Sequence, residues 1–194
     1  MPERTPSQTV GPYLHLGLAP ADYNFRPLFG STLAEPGLPG THIRIEGCLR
    51  DGEGSVLPDA LVEIWQADAE GRYPHPADGR ALRSNSFRGF GRAATDAAGS
   101  FAFATVKPGA VPGPGGKLQA PHINVGIFAR GLLKRLITRI YFAGEPGNAS
   151  DPILALVPAE RRHTLMAEPD AARPGLFRFD IRLQGKDETV FFDA

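Results

Sequence analysis

Short stretches of alternating apolar and polar residues follow one another along the chain from about residue 41. This period of two is typical of half-buried β-strands. Stretches that begin with Asp and contain Gly separate several of them, as at 51–54 and 96–99, and such residues favour tight turns. The predicted strands are 42–46, 61–66, 91–95, 100–106, 122–129, 137–142, 177–183 and 189–192, and the strands 122–129 and 137–142 are close enough to form a hairpin.

Only Pro158–Leu165 predicts a helix, because Pro158 suits the first position of a helix. Eight or so short strands with one short helix favour an all-β fold, specifically a β-sandwich. Residues 1–40 contain too many prolines for a helix or a central strand, yet too many apolar residues for a disordered tail. We therefore predict a Pro-rich N-terminal arm at 1–40, packed on its own domain or on a partner chain, and a β-sandwich domain at 41–194.

The charge balance excludes several classes of protein. Lys plus Arg and Asp plus Glu number 21 each, so there is no overall basic surface for nucleic acid. The single cysteine, Cys48, excludes an intramolecular disulfide and a multi-cysteine metal site, and its place within a strand predicts a core residue. No stretch approaches 18 apolar residues, and residues 1–8 lack the apolar centre of a secretory signal. We expect a cytoplasmic protein that contacts no membrane.

The strand 122–129 carries the most suggestive polar pair. His122 and Asn124 are two residues apart and so share one face, while the alternate positions from Ile123 to Ala129 form an apolar face. Two histidines at this spacing would make half of a metal site, but a histidine with an asparagine does not. A hydrogen-bonded structural histidine is the plainer interpretation. Arg130 lies roughly 20 Å from Asn124 if the strand is unbroken, too far for one small pocket.

Other candidate residues leave alternatives open. Arg130 begins a basic run that continues with Lys134, Arg135 and Arg139, with no acid between 127 and 142. Such a run is either a solvated hairpin or a positive patch for an anionic ligand or an acidic partner. Glu63 and Asp68, which flank Trp65, are as consistent with solvent exposure as with catalysis. The sequence contains no nucleophile elbow, phosphate loop or dinucleotide fingerprint.

Six groups of motifs, in this order, resemble those of the intradiol ring-cleavage dioxygenases. Each motif is weak alone, but together they extend over nearly the whole chain, so chance agreement is an inadequate explanation. They are Thr5–Tyr13 (TPSQTVGPY); Glu63–Asp68 (EIWQAD) with Gly71–Tyr73 (GRY); Thr105–Gly109 (TVKPG); Ala120–Asn124 (APHIN) with Phe128–Gly131 (FARG); Arg139–Phe142 (RIYF); and Arg178–Gly185 (RFDIRLQG) with Glu188–Asp193 (ETVFFD).

Within this family the chain is similar to the alpha chain of members that combine an alpha with a related beta chain. The resemblance implies a β-sandwich heterodimer, further assembly of αβ protomers, and an active site between the chains. That site holds a non-haem ferric iron bound by two Tyr and two His. The implied reaction opens the ring of 3,4-dihydroxybenzoate between its hydroxyls with O₂, giving 3-carboxy-cis,cis-muconate in the β-ketoadipate pathway.

This chain departs from the family's iron-binding pattern. Lys107–Pro112 reads KPGAVP where the ligand chain reads KPGPYP, so Val111 replaces a tyrosine ligand. Asn124 replaces the second histidine of His-Ile-His, and only His122 remains. The other tyrosine ligand falls near Gly79 or Arg80. With three of four ligands absent, the resemblance implies that the beta chain binds the Fe(III) and that this chain binds no metal.

The resemblance also assigns positions that face the partner's iron pocket. These match Thr9, Gly11, Pro12 and Tyr13 in the arm, and Arg130. We expect them to bind substrate, and we expect no catalytic residue in this chain, which would be inactive alone. Two rivals are an autonomous intradiol enzyme with its own iron, and a transthyretin-like β-sandwich that binds partners without catalysis. The absent ligands count against the first rival, and the ordered motifs count against the second.

Overall fold

The structure is a computed structural model that describes residues 24–80 and 86–193, together with Gly11 and Pro20. Strands dominate the described residues, and helices there are short. The strands are β1 (His42–Arg50), β2 (Leu61–Gln66), β3 (Phe90–Ala94), β4 (Ser100–Val106), β5 (Val111–Pro112), β6 (Leu118–Gln119), β7 (His122–Phe128), β8 (Leu136–Phe142), β9 (Met166–Pro169), β10 (Leu176–Arg178) and β11 (Ile181–Arg182). The all-β prediction is confirmed.

The strands form two halves joined through β9. In one half, β1 pairs antiparallel with β4 and, on its other edge, parallel with β10 and β11. In the other half, β2 lies between β3 and β7, and β7 forms the predicted hairpin with β8. Strand β9 links the halves because it pairs with both β8 and β10. β5 and β6 form a separate small hairpin.

The main hydrophobic core lies between the two halves, as the β-sandwich prediction requires. Alternate residues of β1 and β4 point inward from one half, and alternate residues of β2 and β7 point inward from the other. Burial of each large aliphatic or aromatic side chain stabilises the fold by roughly 1.5–3 kcal/mol. Among the core residues are Ile43, Ile45, Leu49, Phe101, Phe103, Val62, Ile64, Ile123, Val125 and Ile127.

Part of the segment predicted as an N-terminal arm packs on this chain's own sandwich. Leu33 is buried, and its amide donates to the Ala104 carbonyl at 2.8 Å. Leu38 also belongs to the main core. Phe25 and Leu28, in contrast, are 65% and 82% exposed. Most of residues 1–23 lie outside the described residues, so the arm that would reach a partner stays a prediction.

The predicted strand 177–183 is broken in the middle. A Cβ at Gly47 of β1 would collide with the Phe179 carbonyl, so the chain can approach β1 this closely only because position 47 is glycine. The Asp180 carboxylate then accepts the Cys48 amide at 2.9 Å, in place of a strand-to-strand bond. Because the Asp180 side chain, and not a backbone carbonyl, accepts the Cys48 amide, the ladder along β1 is interrupted between β10 and β11.

Two further sequence predictions were wrong. Residues 189–192 form no strand, although the Phe192 amide donates to the Ile137 carbonyl at 2.8 Å. Cys48 is not a core residue, because the inward positions of β1 are Ile45, Gly47 and Leu49, and Cys48 lies on the opposite face. Burial raises the pKa of the partly exposed Cys48 thiol, which disfavours the reactive thiolate.

The predicted helix is present as a 3₁₀ helix, Ala159–Leu165, which begins one residue after Pro158. Residues Pro114–Gly116, Pro146–Ser150 and Leu154–Leu156 form additional 3₁₀ helices that the apolar pattern did not reveal. Such short turns bury too few side chains to leave a periodic signal. Within 24–80 and 86–193, no helix combines the length and apolar character that crossing a membrane requires.

Candidate functional site

Polar side chains converge on the outer face of the half that contains β2, β7 and β8. Asn124 on β7 is the register partner of both Trp65 on β2 and Arg139 on β8. Two residues earlier on β7, His122 is opposite Tyr141. The inward neighbours on β7 occupy the core, so this row of side chains lies on the opposite side of the sheet. The predicted division of the β7 faces is confirmed.

The loop after β2 places a second aromatic ring over this row. Tyr73 stacks on Trp65 with 5.6 Å between ring centroids and 17° between planes, and its hydroxyl faces the Asn124 side chain. Asp68 shapes the loop by accepting the Glu70 and Arg72 amides, each at 2.9 Å. Asp68 therefore forms a turn. This is a structural role that accounts for its position beside Trp65.

Glu63 also has a structural partner. It is buried, and its Oε1 accepts the Arg92 guanidinium at 2.5 Å across β2 and β3. Arg135 approaches its other oxygen at 3.6 Å. A buried carboxylate is tolerated when it is paired in this way. The sequence left solvent exposure and catalysis open for both acids that flank Trp65. In the structure Glu63 is buried in an ion pair, and Asp68 is half-buried in a turn.

Two cavities are of similar size. One of about 640 Å³ is lined from both halves of the sandwich and includes Cys48, and one of about 620 Å³ opens beside Trp65 and Tyr73. At the second cavity, Arg80 donates from Nε and Nη2 to the two Asp78 oxygens, both at 2.7 Å. This guanidinium holds the pKa of the Asp78 carboxyl well below its usual range. The lining residues are Trp65, Tyr73, His75, Ala77, Asp78, Gly79, Arg80, Val111 and Pro112.

The positions that the sequence matched to iron ligands gather around this second cavity. Val111, Gly79 and Arg80 line it, and Asn124 lies behind Tyr73. His122 is adjacent on β7, with its Nδ1 2.8 Å from the Ala120 carbonyl oxygen. Sequence resemblance alone thus located residues that come together from the loop after β2 and from strands β5 and β7.

These residues do not fit a ferric ion held by two phenolates and two imidazoles. Val111 presents an isopropyl group, and the Asn124 amide nitrogen donates to the Trp65 carbonyl at 3.4 Å. Hard ferric iron requires anionic oxygen or imidazole ligands, and His122 supplies one imidazole. In the part of the chain that the structure describes, no group of three or more His, Cys, Asp or Glu side chains is placed to hold a metal.

The two nearby phenols do not replace the absent ligands. Burial raises the pKa of Tyr73, and it raises the pKa of Tyr141 to about 12, so both hydroxyls stay protonated at neutral pH. The Tyr141 hydroxyl donates to Asp151 at 3.2 Å, and Arg139 Nη1 lies 3.4 Å from the same hydroxyl. A guanidinium at this point opposes binding of a trivalent cation.

A buried network under the cavity was not found from the sequence. Asp151 is fully buried and accepts the amides of Ala120, Ile153 and Leu154 at 2.7–2.8 Å, besides the Tyr141 hydroxyl. An Asp followed by Pro152 and a short helix is a helix-capping pattern that could have predicted this role. Burial, followed by the charge of Arg139, lowers the pKa of His122 to about 4.

Arg130 lies away from this cavity, in the turn after β7, as the sequence predicted from its separation from Asn124. Its side chain is 77% exposed and its Nε lies 3.1 Å from Asp59 Oδ2. Lys134 and Arg135 are also paired with carboxylates, those of Asp193 and Glu63. The basic run is therefore largely neutralised by acids from other segments, as in a solvated hairpin.

The remaining predicted substrate residues belong to the N-terminal arm. Thr9, Pro12 and Tyr13 lie outside the described residues. Gly11 is described and partly exposed, and a Cβ built there would meet nothing within 4 Å. Their role stays a prediction.

Comparison with known proteins agrees with this fold. A family model described as Dioxygenase matches residues 11–185, and the chain belongs to the intradiol ring-cleaving dioxygenase family. It is 48% identical to the protocatechuate 3,4-dioxygenase alpha chain of Burkholderia cepacia, with 99% of this chain and 98% of that one aligned. The beta chain from the same organism is 39% identical, with 77% of this chain and 67% of that one aligned.

A solved structure gives the same result for the fold. The dioxygenase domain of a dioxygenase–carbohydrate-binding protein fusion from Streptomyces sp. SirexAA-E superposes with a TM-score of 0.62 at 29% identity. The match covers 94% of this chain and 99% of that domain. The sandwich of the described residues is therefore that of the family.

Proposed function

We propose that this chain is the alpha subunit of a protocatechuate 3,4-dioxygenase, which opens 3,4-dihydroxybenzoate with O₂ to 3-carboxy-cis,cis-muconate. The observation that carries the proposal is the pair Val111 and Asn124 at ligand positions, in a chain that aligns end to end with an alpha chain. A non-haem Fe(III) is then bound by the beta subunit, and this chain supplies part of the wall of that site.

Two features of the described residues support this division of labour. The Arg139 guanidinium lies beside the protonated phenol of Tyr141 and the neutral imidazole of His122, an arrangement suited to a site without a metal. Arg130, in contrast, is displayed on the surface at the far end of β7. An exposed guanidinium there is accessible to a pocket on a docked partner, whereas a residue in this chain's own cavity is not.

Arg130 is proposed to attract the carboxylate of the substrate. A guanidinium that faces a ring carboxylate donates charge-assisted hydrogen bonds, directly or through water. The ion pair of Arg130 with Asp59 is exposed and contributes little to stability, so its rearrangement on docking costs little. The carboxylate lies away from the ring bond that breaks, so this contact is expected to be equal in the ground and transition states. Thr9, Gly11, Pro12 and Tyr13 are proposed to line the same pocket.

In the αβ heteromer, Arg130→Ala is expected to raise KM for 3,4-dihydroxybenzoate by roughly tenfold or more, because a charge-assisted bond contributes about 1.5–3 kcal/mol. Catechol has no carboxylate and should be turned over nearly as well as before, and iron content should not change. Steady-state kinetics on both substrates measures this.

Lys134→Ala is the matched control, since Lys134 is a cation of the same hairpin that is likewise exposed and paired with a carboxylate, that of Asp193 at 3.3 Å. It should leave both substrates unaffected. Equal losses on both substrates for Arg130→Ala would show that Arg130 supports the interface or the fold, and would refute its role in recognition.

Expressed without a beta subunit, the chain is expected to aggregate. Phe25 and Leu28 expose large apolar side chains, and the formal net charge of zero provides no repulsion between molecules. Co-expression with the beta subunit should give a soluble heteromer, which size-exclusion chromatography with light scattering would detect. A folded, monodisperse monomer at high concentration would contradict the proposed dependence on a partner.

A further inference from the structure

We propose that the cavity beside Trp65 and Tyr73 is a second, iron-free binding site that takes a small aromatic carboxylate. Its lining residues are all residues of this chain. The inference rests on the walls and charges of this cavity, and it does not depend on Arg130 or on the N-terminal arm.

The cavity has the size and the surfaces that such a ligand requires. Its volume of about 620 Å³ lies within the usual range for small-molecule sites, about 300–1,000 Å³. The rings of Trp65 and Tyr73 form a stacked pair on one side, and Val111 and Pro112 form an apolar wall. A flat aromatic ring packs well against an aromatic pair of this kind.

The charges near the cavity favour an anion. Arg80 lines it, and among the described residues its Nη1 has no acceptor, although its other two nitrogens bond to Asp78 and the Gly71 carbonyl. Arg139 adds a half-buried positive charge that bonds to Gln119 at 2.7 Å and to Tyr141. Within the ranges that the structure describes, no carboxylate forms an ion pair with Arg139.

Arg139 therefore places a guanidinium without an ion-pair partner behind the aromatic pair: the Asp78 carboxylate is bonded to Arg80, and the buried Asp151 carboxylate lies on the other side of the Tyr141 hydroxyl. Its effect reaches the cavity, since it lowers the pKa of Tyr73 against the rise due to burial. A ligand carboxylate placed between Arg80 and the region of Arg139 would gain from both charges. A neutral ligand of the same shape would gain only the stacking and apolar contacts.

The test uses equilibrium dialysis of radiolabelled benzoate against the αβ heteromer. We expect one benzoate site per copy of this chain that disappears in Gly79→Phe and persists in Gly79→Ala. Position 79 lines the cavity, and a Cβ there meets nothing within 4 Å, so the phenyl group can fill the cavity without backbone strain. An unchanged number of sites in a folded Gly79→Phe heteromer would overturn the proposal.

The charge requirement is tested with Arg139→Gln and the charge-retaining Arg139→Lys. Arg139→Gln should weaken benzoate at this site by roughly five- to tenfold, while the neutral analogue benzamide is unaffected and Arg139→Lys keeps most of the affinity. Equal losses for benzoate and benzamide would mean that Arg139 only supports the fold, and would overturn the carboxylate assignment.

If a variant fails to fold, the proposal can be tested without mutation, by soaking a crystal of the unmodified heteromer with 4-bromobenzoate. An anomalous bromine signal beside Trp65 supports the proposal, and its absence at millimolar ligand refutes it. A signal only at the beta subunit's iron site also refutes it and leaves the proposed function intact. Failure to obtain any heteromer would instead count against the proposed function.

Discussion

Purified without a beta subunit, this protein is expected to hold no stoichiometric iron, to show no visible absorption band and to open no catechol ring. The visible band of a ferric–tyrosinate site requires a tyrosinate bound to the iron. Val111 and Asn124 provide neither a phenolate nor an imidazole, and the single imidazole of His122 binds a ferric ion too weakly to retain it. Both Tyr73 and Tyr141 favour the protonated phenol.

The measurement combines metal analysis, a visible spectrum and oxygen uptake with 3,4-dihydroxybenzoate, on refolded chain if necessary. The control is the same chain purified with its beta subunit, which should show iron, colour and turnover. The expected difference is the whole activity rather than a fraction of it. Stoichiometric iron with a visible tyrosinate band in the chain alone would establish the autonomous enzyme and refute the subunit proposal.

The titration of His122 by itself is expected to lower the free energy of unfolding by about 3 kcal/mol as pH decreases from about 6.5 to about 4. In the folded protein, burial and Arg139 lower the pKa of His122 from 6.5 to about 4. Between these values the unfolded chain binds a proton that the folded chain does not, so acid favours unfolding by about 1.4 kcal/mol per pH unit. The contribution is fully present above pH 6.5 and fully lost below pH 4.

The matched variant is His122→Gln, whose amide can still bond to the Ala120 carbonyl but does not titrate. Denaturant unfolding of both heteromers across this pH range should show the wild type losing more stability than the variant toward acid. Asp151 and Tyr141 also face this site and are common to both proteins, so they cancel in the difference. Parallel pH profiles would show that His122 is not held neutral by the fold.

The strands that could be predicted from the sequence are those whose own residues alternate between apolar and polar positions. β2 and β4 have the predicted bounds, and the two faces of β7 separate as predicted, because alternation records burial directly. The break between β10 and β11 could not be predicted. It requires Gly47 to meet Phe179, a contact between segments about 130 residues apart that leaves no periodic trace in either segment.

The candidate site divides in a similar way. The order of the motifs was sufficient to match Val111, His122 and Asn124 to ligand positions; Val111 lines the cavity, and His122 and Asn124 lie on the outer face of the adjacent β7. The electrostatics could not be predicted, because they arise from the register that places Arg139 beside Asn124 and from the loop that brings Tyr73 over Trp65. Sequence patterns indicate which residues are polar, but only the register of the strands determines which charges meet.

The parallel pairing of β1 with β10 has a consequence during protein synthesis. Arg44 is the register partner of Leu176, so β4 can cover one edge of β1 early while the other edge waits for about 130 more residues. At about 5–20 residues per second, that wait lasts roughly 7–26 s. Throughout this interval the nascent chain presents an unpaired strand edge, which other chains can join. A chaperone, or early contact with a partner, would protect this edge until β10 and β11 are made.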